Sequence, residues 1–167
     1  MDDTQYLWNR RSSIRQRVLT NRMYYQERQR IFEWREGFVK VISILAGSIA
    51  FSKMADENVV KWCAVTITVS SAGSLVFNFG NKARDSAKRS AEWAFLERDI
   101  EARGERDFTE SDISSWAARC NEVEAGEPAP HKRLLEQCNA RACAALNMKI
   151  DDPASFWTLH IPAFVIH

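Results

Sequence analysis

Residues 62–81 read WCAVTITVSSAGSLVFNFGN and contain no Asp, Glu, Lys or Arg. Lys61 and Lys82 bound this window, in a chain where 27% of residues are charged. A helix over the window would be about 30 Å long at ~1.5 Å rise per residue, which matches the hydrocarbon core of a bilayer. The window therefore predicts a transmembrane helix over 62–81, with Trp62 at one interface. It is less apolar than most spans, because Thr66, Thr68, Ser70, Ser71, Gly73, Ser74 and Asn78 fall inside it.

Upstream, residues 38–54 form a second apolar run, whose strictly uncharged part is 41–52. That part alone is short, about 18 Å of helix. Lys40 and Lys53 flank it, and their alkyl stems can lie in the apolar layer while the ammonium groups reach the headgroups. With those ends the run reaches about 25 Å, enough to span a slightly thinned bilayer. Only residues 53–61 separate the two runs, so the expectation is an antiparallel hairpin with both termini on one side. Five Lys/Arg at 22–40 and four at 82–89, against two in the loop, place both termini in the cytoplasm. Lys40, Lys53, Lys61, Trp62 and Lys82 are the expected interface anchors. A soluble helical bundle with the two runs in its core is the competing reading.

The rest of the chain reads as all-α. Residues 1–37 form a basic amphipathic cytoplasmic helix, with apolar Ile14, Val18, Tyr25, Ile31 and Phe32 near helical spacing and a possible break at Thr20 and Asn21. Its basic face reads as a solvated surface or a contact with anionic lipid. Residues 82–107 form a helix continuing directly from the second span, then a solvated linker over the mixed charges of 97–112. Its apolar seam is expected at Ala83, Ala87, Ala91, Ala94, Phe95 and Ile100, and Gly104 is a stop signal. Residues 108–167 form a cytoplasmic helical region. Thr109 is its expected helix cap, with Asp112 where a full capping box carries Glu or Gln. One helix follows with Ile113, Trp116, Cys120 and Val123 on one side. Another spans about 131–147, with Leu134, Leu135, Cys138, Ala142 and Leu146. The apolar tail 156–166 is too short to cross a membrane.

Within the second run Thr66, Ser70, Ser74 and Asn78 recur every fourth residue and share one helix face. One reading is a wettable face that lines a pore once hairpins assemble. The other is helix–helix packing, with Ser70, Gly73 and Ser74 allowing close approach and Ser43 and Gly47 matching them on the first run. Both stay open at the level of sequence. The net charge of +1 gives no case for nucleic acid. The four cysteines match neither a disulfide framework nor a zinc site, and no catalytic motif is present, so no enzyme, cofactor or metal is expected.

The layout, together with YQERQRIFE at 25–33, GSIAF at 47–51, AEW at 91–93, the stretch 122–130, Leu134 and Cys138–Asn139, resembles the SLATT family of bacterial two-transmembrane proteins. The likeness covers about residues 20–160 and lies in layout and short phrases rather than a catalytic motif. It implies a multi-pass protein of the bacterial inner membrane that acts as an effector in defence or conflict systems. It also implies triggering by a separate sensor or nucleotide-signalling partner, and homo-oligomerisation through the hairpin into a pore. A membrane-anchored scaffold without pore activity and a holin-like lysis protein are the alternatives.

Overall fold

A computed structural model of the protein describes residues 3–50, 56–105 and 107–148. Among these residues every regular element is helical: α1 (Asp3–Ala50), α2 (Glu57–Phe77), α3 (Phe79–Ala102), α4 (Glu110–Ala125) and α5 (Lys132–Ala145). The chain divides into two compact units, Arg28–Asp85 and the remainder. The apolar tail 156–166 and Lys53 lie outside the described residues.

The first unit joins α1 as far as Glu27 with α3 from Ser86, α4 and α5. Its core is built from Ile14, Val18, Tyr24 and Tyr25 of α1, Trp93, Leu96 and Ile100 of α3, Trp116 and Cys120 of α4, and Leu134, Cys138 and Ala142 of α5. Full burial of one such large apolar side chain contributes about 1.5–3 kcal/mol. α1 runs unbroken through Thr20 and Asn21. Their polar groups have tertiary partners: the Thr20 hydroxyl donates to Asn139 (3.4 Å) and Asn21 to Glu124 (3.2 Å). They therefore do not compete for the helix backbone.

The basic face of α1 is not simply solvated. Arg22 pairs with Glu97, Arg17 with Glu124, and Arg15 reaches Glu101 at 3.6 Å. Arg11 is buried between the rings of Trp8 and Phe108, at 5.7 and 5.2 Å, and donates to the Gly104 carbonyl (2.9 Å). The linker expected over 97–112 is corrected by the same contacts. Its first part is the end of α3, held by ion pairs to α1.

The seam of α3 runs as expected through buried Ala83 and Ile100 and differs between them. Ser86, Ser90, Trp93, Leu96 and Ile100 are buried, while Ala91 and Phe95 are exposed. The small serines pack inward because Trp93 fills the core beside them, which a hydropathy pattern alone does not register. Gly104 ends the element at φ +70°, as its position in the sequence suggests. Thr109 caps α4 in a complete box: it accepts from the Asp112 N–H, and its own N–H donates to the Asp112 carboxylate at 2.9 Å. Asp therefore substitutes for Glu, and these bonds hold its carboxyl below the usual range. After α5, Asn147 takes φ 52° and the Met148 N–H donates to the Cys143 carbonyl at 2.9 Å, which closes the helix end.

The second unit holds the later part of α1, all of α2 and the start of α3. Asp56 caps α2, accepting from the Glu57 N–H at 2.7 Å, and Glu57 pairs with Lys61 one turn on at 2.8 Å. α2 thus begins five residues before the expected Trp62. The second run does not continue directly into α3. Asn78 sits in the left-handed region (φ 50°, ψ 46°) between the two helices. Its N–H still donates to Ser74 O (3.0 Å), and its carbonyl still accepts from Lys82 N (3.2 Å), so the interruption is one residue wide. Asn is among the few residues that enter this region at low cost.

Candidate membrane site

One stretch of the described residues, Glu57–Ala102, is long and apolar enough to cross a membrane, with a mean hydropathy of 1.5 in its best window. Only 6% of that window is buried within the chain. Large apolar side chains stand outward on it: Trp62 is 73% exposed, Val69 65%, Leu75 82% and Val76 78%. The later part of α1 carries a similar surface at Phe38, Val41, Ile44, Leu45 and Ile49. Its apolar run ends at Ala50 within the described residues, so a second crossing is not shown, and 51–54 lie outside them. α1 does lie beside the α2–α3 junction. Phe32 stacks on Phe79 (6.4 Å), and a Cβ built on Gly80 would meet the Glu36 carboxylate at 3.0 Å.

The polar stripe of α2 is divided by this arrangement. Ser70, Gly73 and Ser74 fall on the less exposed face with Cys63 and Ile67, whereas Thr66 faces outward and Asn78 caps the helix. Ser43 and Gly47 likewise lie on the shielded face of α1, beside buried Ala46. The hydroxyls of Thr66 and Thr68 donate to the carbonyls four residues back, Trp62 and Ala64, both at 2.9 Å. Ser48 does the same to Ile44 (2.9 Å), so these groups are satisfied within their own helices.

Close approach at the glycines is not found. A Cβ on Gly47 or Gly73 would meet nothing within 4 Å. Within one chain neither glycine is pressed by a neighbouring helix. Of the expected anchors, four are among the described residues. Lys61 and Trp62 are exposed near the start of α2, Lys40 is exposed and pairs with Glu36 at 2.6 Å, and Lys82 lies over the Phe32 ring at 5.9 Å.

The first unit offers an open cleft of about 460 Å³ between α1, α4 and α5. Its polar groups bond one another. Gln16 donates to Asn139 (2.9 Å), and Arg17 donates to Glu124 (2.5 Å from Nε), a bond that raises the guanidinium pKa. The nearby cysteine thiols are pushed up by burial, Cys120 to about 11 and Cys138 to about 12, and are therefore protonated at neutral pH. Among the described residues no three His, Cys, Asp or Glu side chains converge as a metal site.

The loop before α5 is pinned by a buried acid that sequence reading missed. Glu127 accepts from the Trp93 indole N–H at 2.7 Å and bonds Tyr25, while Arg89 donates to the Gly126 carbonyl at 2.6 Å. Burial outweighs these bonds and raises the Glu127 carboxyl above its ordinary value. The same burial, with the Glu127 charge beside it, raises the Tyr25 phenol. The only hint in the sequence was the acid next to a Pro break. Comparison with family models, curated protein sequences and solved structures gave no match.

Proposed function

We propose that the protein is a membrane effector. In this reading the later part of α1 and all of α2 form a hairpin in the bacterial inner membrane, with both termini in the cytoplasm. Several copies assemble through the hairpins and breach the bilayer, and the four-helix unit receives the trigger from a separate protein. The observation that supports it is the outward-facing apolar surface on α1 and α2. A soluble monomer leaves contiguous apolar patches of at most a few hundred Å², and here the exposed residues run along both helices.

A second reading, an anchor or scaffold without leakage, is favoured by the shielded position of Ser70 and Ser74 and by the internally bonded threonines. Expression in bacteria, with a potential-sensitive dye as readout, separates the two. The effector reading expects collapse of membrane potential on induction. It also expects Ser70→Leu with Ser74→Leu to abolish that collapse while membrane insertion persists. An intact potential and normal growth in cells whose membranes contain the protein would leave the scaffold.

A further inference from the structure

The open cleft of the first unit carries a charge that its own lining does not balance. Three charged side chains line it, Arg17, Glu124 and Glu136, a net charge of −1. Arg17 donates to Glu124 through both Nε and Nη2, so that pair is neutral. Glu136 is half-buried, and its side chain has no ion pair or hydrogen bond among the described residues. A carboxylate in that position has lost part of its water without gaining a protein donor. The amides around it leave acceptors open. Gln16 donates its amide nitrogen to Asn139 (2.9 Å), and Asn21 donates its own to Glu124 (3.2 Å). The carbonyl oxygens of Gln16 and Asn21 accept nothing among the described residues, and both side chains line the cleft. Asn139 Oδ1 accepts from Gln16 and Thr20, which leaves its amide nitrogen as a donor. Glu136 and Asn139 are three residues apart on α5 and share a face, beside the apolar wall of Leu135.

We propose that this cleft binds a primary alkylammonium group, presented as the side chain of a lysine on a partner protein. An ammonium carries three donors and no acceptor, which matches a carboxylate flanked by carbonyl oxygens. The alkyl stem packs on Leu135, and the Asn139 amide nitrogen donates to a peptide carbonyl of the partner. The volume of about 460 Å³ lies within the usual range of small-ligand sites, roughly 300–1,000 Å³, and has room for one such residue. The site lies wholly in the four-helix unit and does not depend on the membrane reading. It adds to the proposed function the chemistry by which that unit recognises a partner.

The test uses the full-length protein, isotope-labelled and held in a neutral detergent. N-acetyl-lysine N-methylamide is titrated in, and the side-chain amide signals of Gln16 and Asn21 are followed by NMR. Both signals are expected to shift saturably. N-acetyl-norleucine N-methylamide, which lacks the ammonium, should bind at least about ten-fold more weakly, because charge-assisted hydrogen bonds are lost. Glu136→Gln should weaken binding of the lysine analogue by a similar factor with circular dichroism unchanged, and Glu136→Asp should bind it more tightly than Glu136→Gln does. n-Butylammonium, an ammonium without peptide groups, should bind more weakly than the lysine analogue. Equal binding of those two overturns the assignment to a partner's lysine by giving the cleft to free amines. Equal binding of the lysine and norleucine analogues, or full affinity in the Glu136→Gln protein, overturns the proposal as a whole.

Discussion

Glu127 shows how a single side chain fixes a loop at a cost that depends on pH. Its carboxyl accepts from Trp93 and bonds Tyr25, yet burial dominates and its pKa is raised in the fold. A raised carboxyl pKa adds stability while the group is protonated, and that contribution is lost as pH rises through the folded value. The expected outcome is that the thermal midpoint of the wild type falls relative to Glu127→Gln as pH rises from below 4.5 to neutral. Thermal melts of the two proteins across that range check it, and a constant difference would contradict it. At this scale the sequence was legible only in part. Thr109 and Gly104 announce their roles through local backbone chemistry. Arg11, Arg17 and Arg22 do not, because a guanidinium on a polar helix face looks the same whether water or a distant carboxylate receives it.

The elements were mostly readable, and their joints were not. The periodic runs behind α1, α4 and α5 follow from apolar spacing, and residues 62–77 of the window 62–81 lie within α2. The break at Asn78 was missed because Asn also fits a polar stripe recurring every fourth residue. Only its left-handed backbone separates the two roles. Replacing Asn78 with Ala should destabilise the α2–α3 junction by about 1–2 kcal/mol, since a Cβ without a compensating side-chain bond is disfavoured there. Asn78→Gly should stay within a few tenths of a kcal/mol of the wild type, or gain slightly, because Gly enters this region freely. Chemical unfolding in detergent, followed by circular dichroism, measures both. A stability order with Ala above Gly would mean that the junction is helical in the protein. The serines of α3 show the complementary limit: Ser86 and Ser90 are buried because Trp93 sets the phase of the helix.

At the scale of the whole molecule, the two units differ in what surrounds their apolar residues. In the first, aromatic and aliphatic side chains from α1, α3, α4 and α5 bury one another. In the second, the largest apolar side chains of α1 and α2 face outward, which the proposed membrane placement accounts for. The sequence made this contrast legible through the position of its charges: none between Lys61 and Lys82 and none over 41–52, with both signs densely placed in the helices of the first unit. It left the division of the polar stripe undetermined, because hydroxyls serve as packing groups and as wetted groups alike. Membranes from cells expressing the full chain, washed in alkaline carbonate and floated on a density gradient, test the membrane placement most directly. The protein is expected to float with the lipid after the wash. Release into the carbonate supernatant as a monodisperse species that needs no detergent would contradict it.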